Sequence, residues 1–382
     1  MKNVTLLLCA LLALSTSGPE AAAGFPAFAP DDCERVDVPS GSGRATDPPA
    51  VTAMRIAPGE ISLDGRLGER FWEEAEPACG FSTWDPTRGE TPSEETVFKV
   101  VYDDESIYFG IASYHSGSEM RSQLCRRDEI GNSDMVSLYL DTYLDRTTAY
   151  NFRVNSQGVQ GDRYVSGDGN NMDPDWNGVW VAATHVDDEG WYTEIEVPFS
   201  CVRYRPGEEL TWGCQLYRFI YDLGEDTCWA SWDRDRTGFV SRFGRVEGLE
   251  GGPAPRQLEL LPYAVTRTTD PAAAGEDEEL DQYQNVGLDL EYGLKTDLTL
   301  NAAFQPDFGQ VEADPSLLNL SPFETYYEEK RPFFIEGSRF FAHPEFEMFY
   351  SRRIGTGDES SRIRAAGKLT GKTPSGYSVA AL

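Results

Sequence analysis

The sequence predicts an all-β protein: an antiparallel β-sandwich of jelly-roll type followed by the first antiparallel strands of a β-barrel. Between residues 54 and 246, short segments alternate apolar with polar residues and are separated by Asn, Asp, Gly and Ser turns. Successive side chains on a strand point to opposite faces, so this period of two marks half-buried strands. Beyond residue 255 the alternating segments lengthen. A helical turn or two is predicted only at residues 68–75, where Phe71 and Trp72 would face inward.

The chain of 382 residues opens with Lys2, an apolar run over residues 4–14, and small residues at Ala21, Ala22 and Ala23. That is the pattern of a secretory signal peptide over residues 1–23. The run is too short for a spanning helix, which takes about 20 apolar residues. Cys9 sits inside the run behind three leucines, so a lipoprotein site is not expected there. Residues 24–50, rich in Pro, Gly, Ser and Ala, read as a disordered linker. Past the signal, six cysteines remain: Cys33, Cys79, Cys125, Cys201, Cys214 and Cys228. An even number suits disulfides in an exported chain, and the spacing leaves every pairing open. No CxxC suggests zinc. With 33 basic against 64 acidic residues and a net charge of −31, neither nucleic-acid phosphate nor an anionic lipid surface is an expected broad partner.

Within the sandwich, predicted for residues 51–250, residues 97–102 and 107–114 flank a polar Asp103-Asp104-Glu105-Ser106 turn and read as a hairpin. Val136, Leu138 and Leu140 alternate with Ser137, Tyr139 and Asp141, and Tyr150, Phe152 and Val154 follow in the same register. Residues 179–183, 191–197 and 212–216 continue the pattern. In residues 255–382, alternation recurs at Leu258/Leu260, Val286 to Tyr292, Leu298 to Phe304, Ile363 to Leu369 and Tyr377 to Ala381. Strands apolar on one face and small or polar on the other are the signature of an outer-membrane barrel, with a second water-soluble β domain as the alternative.

Particular words then matter. Gln305-Pro306-Asp307-Phe308-Gly309-Gln310-Val311-Glu312-Ala313-Asp314-Pro315, Glu328-Glu329-Lys330-Arg331-Pro332-Phe333-Phe334-Ile335-Glu336-Gly337 and Tyr350-Ser351-Arg352-Arg353-Ile354-Gly355 resemble an uncharacterised C-terminal outer-membrane β-barrel domain of exported bacterial proteins. In that architecture the barrel follows a sandwich similar to family 9 carbohydrate-binding modules. The upstream half is similar to such a module at Ile61-Ser62-Leu63-Asp64-Gly65 with Phe71-Trp72, at residues 100–108, and at Gly190-Trp191-Tyr192-Thr193-Glu194-Ile195-Glu196-Val197-Pro198-Phe199. The resemblance implies an exported, outer-membrane protein that binds a glycan or polysaccharide, with its sandwich in the periplasm or on the cell surface. It also implies that the barrel domain here is incomplete, since five candidate strands are fewer than the ~8 of a closed barrel. The stretch 305–354 would form a loop or short helix, starting near Ser321, that caps or plugs the lumen.

Glycan binding needs aromatic faces for sugar rings and polar groups for hydroxyls. Of eight tryptophans, Trp72, Trp180, Trp191 and Trp212 fit the core pattern. Trp84 and Trp176 lie in polar segments that no period demands, which makes them the stacking candidates, with Arg127 and Asp128 as candidate ligand contacts or members of an ion-pair network. Asp173, Asp175 and Asn177, ahead of Gly178, have calcium-loop spacing. Thr184 stands where an EF-hand has its bidentate Glu, so a simpler structural calcium site, of the kind the resemblance implies, competes with a solvated turn. No HExxH, GxSxG or phosphate-loop spacing occurs, so no catalytic residue is assigned. A membrane-associated hydrolase acting on carbohydrate, and a ligand-free adaptor of the barrel, stand as alternatives.

Overall fold

A computed structural model of the chain describes residue 33 and residues 48–116, 118–174, 176–204, 207, 209–232, 236–250, 258–269, 281–295, 298–306, 332–335, 341, 350, 363–372 and 377–382. The predicted signal peptide, nearly all of the linker and the site residue Asp175 lie outside these.

Two sheets stack face to face. The first runs in the order β1 (Ala50–Thr52), β15 (Gly244–Glu250), β13 (Glu209–Ile220), β7 (Met135–Asp141), β8 (Ala149–Asn155), β9 (Gln160–Ser166), β10 (Asn171–Asp173), with β14 (Glu225–Cys228) joining β13 to β4 (Ser82–Asp85). The second runs β11 (Val181–Val186), β12 (Gly190–Pro198), β6 (Ser106–Tyr114), β5 (Thr96–Tyr102), β2 (Met54–Arg55), with β3 (Pro77–Ala78) also on β5. Pairing is antiparallel except where β1 lies parallel to β15 and β2 parallel to β5. Those two short strands join existing edges from a distant part of the chain, and alternation within them could not reveal their direction.

The core between the sheets holds Phe98, Phe109, Trp191 and Ile195 from one side and Leu138, Phe152, Trp212 and Leu216 from the other. The opposite face of the second sheet is covered as well. There Val97, Val101 and Ala112 meet Leu67, Trp72 and Ala75 around the short helix α1 (Arg70–Glu74). Burial on both faces explains why β5 reads TVFKVVY and is buried throughout. Its Lys99 is 1% exposed and donates from Nζ to the carbonyl of Trp72 at 2.7 Å. Cys33 and Cys79 form a disulfide beside this layer. Among the described residues the other cysteines, Cys125, Cys201, Cys214 and Cys228, are unpaired.

The sequence words that carried the resemblance converge here. Glu194 on β12 is fully buried and accepts from the backbone N–H groups of Asp64 (2.9 Å) and Gly65 (2.8 Å) and from the Trp72 indole (3.1 Å). Burial pushes its carboxyl up to about 7, against the pull of those donors. Gly65 has φ +77°, and a Cβ there would lie 2.5 Å from the carbonyl carbon of Thr184, so the turn demands glycine twice over.

A third sheet is a meander of neighbours: β16 (Leu258–Thr269), β17 (Asp281–Lys295), β18 (Leu298–Phe304), β19 (Ala365–Lys372) and β20 (Ser378–Ala381). Its polarity is inverted relative to the sandwich. Thr299, Asn301, Lys368 and Thr370 are buried, whereas Leu258, Leu260, Val286, Phe304 and Val379 are exposed, Val286 by 70%. On the buried side Asn301 donates to Glu291 at 3.0 Å, and Lys368 donates to the carbonyl of Phe333 at 2.8 Å. Phe333 belongs to helix α2 (Pro332–Ile335), which lies in the stretch 305–354 predicted to form a loop or short helix, while the predicted start near Ser321 lies outside the described residues. No helix among the described residues is long and apolar enough to cross a membrane.

Replacing Glu194 by Ala orphans two buried donors, the Gly65 N–H and the Trp72 indole, and frees the Asp64 N–H, and is expected to lower stability by about 3 kcal/mol in urea unfolding followed by tryptophan fluorescence. Glu194→Gln keeps an acceptor and should lose less.

Candidate functional site

Register decides what the outer face of the first sheet carries. Even-numbered residues of β7 and β8 enter the core, so the odd-numbered ones point outward. Pairing then lines up Tyr217, Ser137, Arg153 and Gly161 in one row across β13, β7, β8 and β9, and Gln215, Tyr139, Asn151 and Arg163 in the next. The result is a band of aromatic and polar side chains four strands wide.

One end of the band is walled by aromatics. Phe239 stacks on Tyr217 (centroids 6.1 Å, planes 16° apart) and meets Tyr139 edge-on at 5.2 Å. Trp84 lies 5.8 Å from Tyr217 and 4.5 Å from Trp232, and the Arg88 guanidinium sits 3.2 Å above the Trp84 ring. Trp84 and Trp232 are both half-buried. The irregular segment bearing Trp232 and Phe239 is tied at both ends. Gln215 exchanges two hydrogen bonds with the backbone of Ala230 (2.6 and 2.9 Å). Asp168 accepts from the backbone N–H of Phe239 (2.9 Å) and of Ser241 (2.8 Å) and from the Ser241 hydroxyl (2.8 Å). Burial of Asp168 works upward on its carboxyl, but the donors from Ser241 and Phe239 outweigh it and hold the pKa below the usual range.

The other end is cationic. Arg153 is 6% exposed and Arg163 half-buried. Among the described residues neither guanidinium has a hydrogen-bond or ion-pair partner, and both Nε atoms are buried without one. Burial lowers the Arg153 pKa, and the neighbouring Arg163 adds to the effect. At the aromatic end Asp226, whose strand partner is Asp85, is pushed up to about 6 by burial and then by the Asp85 charge.

The residues expected from sequence fall in different places. Trp84 stands on strand β4 at the aromatic wall. Trp176 turns inward instead, its ring 4.9 Å from Tyr150 and 5.8 Å from Phe152 against the core. Arg127 pairs with buried Asp162 at 2.7 Å and donates to Gln160 Oε1 (2.8 Å) and the Gly178 carbonyl (3.2 Å), so its fork is occupied within the fold. Asp128 accepts the Asp162 backbone N–H at 2.9 Å and lies 3.9 Å from Arg127. Asp173 ends β10 and Asn177 is exposed, while Asp175 lies outside the described residues. Among the described residues no three His, Cys, Asp or Glu side chains converge on one point. Tyr139, Arg153, Arg163, Tyr217, Trp232 and Phe239 were not singled out from sequence. Only Tyr139 and Arg153 carried a signal, as outward positions on the predicted strands 136–141 and 150–154.

Such a face can hold a ring with one apolar side against tryptophan while fixed donors pair its polar substituents. It belongs to a β-sandwich followed by a meander of opposite polarity, and the comparisons bear on each part. Residues 254–374 match the family described as "Domain of unknown function (DUF5916)". Among solved structures, the chain is similar to a family 9 carbohydrate-binding module from Caldicellulosiruptor kristjanssonii in complex with cellotriose, at 16% identity and a TM-score of 0.36, covering 52% of this chain and 94% of that one. A module of that family from the same organism, in complex with glucose, gives 16% identity and a TM-score of 0.38 over 54% of this chain and 98% of that one. No residue position is carried over from overlaps this loose. No curated protein sequence gives a significant match.

The Asp226 carboxyl has a folded pKa above its unfolded one, so the stability it contributes is full below about pH 4 and is lost as pH rises through about 6. Asp226→Asn is therefore expected to raise stability at pH 8, by up to about 3 kcal/mol, and to change little at pH 3.5, in urea titrations at the two pH values.

Proposed function

We propose that the chain is an exported carbohydrate-binding protein whose sandwich holds a saccharide on the outer face of its first sheet. The carrying observation is the juxtaposition on one face of Trp84, Trp232 and Phe239 with Arg153 and Arg163, all positioned by strands or by buried hydrogen bonds. A pyranose has an apolar C–H face and an equatorial rim of hydroxyls. The half-buried indole of Trp232 suits the first, and the unpartnered guanidinium groups suit the second, donating to hydroxyl or ring oxygens. Asn151 and Gln215 support the floor rather than the ligand: Asn151 donates to Ser137 Oγ (2.8 Å) and the Leu138 carbonyl (3.1 Å), and Gln215 holds Ala230. Calorimetric titration of the full chain with oligosaccharides tests this. Trp232→Ala and Trp84→Ala should each weaken binding about tenfold, and binding unchanged in both would overturn the assignment. Release of reducing ends during the titration would favour the hydrolase reading.

The meander supports a second part of the reading, that this region contributes strands to an outer-membrane β-barrel. In water an exposed row of Leu, Val and Phe over a buried row of Thr, Asn and Lys is costly; in a barrel wall it is the required arrangement, with apolar side chains toward lipid and polar ones toward the lumen. The signal-peptide pattern of residues 1–23 is consistent with export, and a structural calcium near Asp173 and Asn177 remains part of the proposal. Val286→Lys is expected to reduce chain recovered in the outer-membrane fraction, at a cost of about 2 kcal/mol if Val286 faces lipid. Unchanged recovery would remove Val286 from a lipid-facing wall.

A further inference from the structure

We propose, resting on the carbohydrate reading above, that the saccharide is acidic, and that its anionic group, a carboxylate or a sulfate, is received by Arg153 and Arg163. Arg153 lies on the outward side of β8, 94% out of contact with solvent by difference from its 6% exposure, and its guanidinium meets no acceptor among the described residues. Burying an ionised group without a partner is expensive, and arginine cannot escape by losing its proton. Arg163, paired on β9 with Asn151 and so diagonal to Arg153, adds a second positive charge to the same patch. Both act on the phenol of Tyr139 between them and the aromatic wall, whose pKa burial raises and they draw back down.

The nearby acids, Asp128 and Asp162, both act on Arg153 through their charge, without a direct contact to its guanidinium among the described residues. Asp162 points to the other side of β9, where its Oδ2 is shared by Arg127, the Trp180 indole (2.7 Å) and the Gly178 N–H (3.1 Å). Asp128 lies on the same side of Gly161 as Arg153, where a Cβ would meet Arg153 Nη2 at 2.9 Å and Asp128 Oδ1 at 3.3 Å, and it holds the Asp162 backbone and faces Arg127 at 3.9 Å. Among the described residues neither carboxylate forms a hydrogen bond or ion pair with Arg153 or Arg163, which lie on the face beside the tryptophans. The planar fork of arginine matches a carboxylate or sulfate through two parallel hydrogen bonds, which a hydroxyl cannot offer.

The experiment titrates the full chain with trigalacturonate, with its neutral counterpart galactotriose, and with a sulfated galactan trisaccharide. The acidic sugars should bind about tenfold or more tightly than the neutral one, and the ratio between the two acidic arms identifies the anion. Arg153→Gln and Arg163→Gln should each abolish that preference. Removing an unpaired buried charge is not expected to unfold the sandwich, which a thermal melt of each variant checks, and Trp232→Ala should weaken acidic and neutral sugars alike. Equal or tighter binding of the neutral sugar, or a preference that survives both arginine substitutions, overturns the acidic specificity while leaving carbohydrate binding intact. Failure of every saccharide to bind overturns both.

Discussion

The register shared by β13, β7, β8 and β9 is the constraint on which the rest of the molecule depends. A shift of one residue in any of these strands would carry Leu138, Phe152 and Leu216 to the surface and drive Tyr139, Arg153 and Tyr217 into the core. The same alternation that seals the interior therefore displays the aromatic and cationic band. Core and site are two sides of one pleated surface, and neither can be altered in register without loss of the other. The short ties from Gln215 to Ala230 and from Asp168 to Phe239 then add what pleating cannot, a fixed position for aromatic rings carried on irregular chain.

The third sheet applies the same alternation with the opposite sign. In the sandwich, apolar residues turn toward another sheet; in the meander they turn away from the polar layer formed by Thr299, Asn301 and Lys368 and by the carbonyl of Phe333. The proposed barrel wall rests on that contrast, and the aromatic and cationic band lies on the sandwich rather than on the meander.

Sequence reading recovered the elements whose alternation is long and uninterrupted. The strands β5 to β8, β12 and β13, and all five strands of the meander, coincide with predicted segments. It missed β9, whose sequence QGDRYVS hides its inward positions because one of them is Asp162, a buried carboxylate whose Oδ2 is held by Arg127 and Trp180. It missed the parallel edges β1 and β2 because two- and three-residue strands have no period. Trp84 and Trp176 were both legible as tryptophans outside the core pattern; Trp84 stands at the aromatic wall, and half-buried Trp176 packs on Tyr150, a difference that depends on contacts across strands and not on local pattern. Trp232 and Phe239 depend on backbone ties between residues far apart in sequence, which no local pattern encodes.

The cysteines give the fold a graded response to oxidants. Cys33 and Cys79 are already joined. Burial pushes the Cys201 and Cys228 thiols up to about 12 and raises Cys214 as well, so these three remain protonated and poor nucleophiles at neutral pH. Cys125 is half-exposed. Among the described residues, thiol-disulfide exchange or alkylation of the native chain should thus begin at Cys125, in the loop before β7.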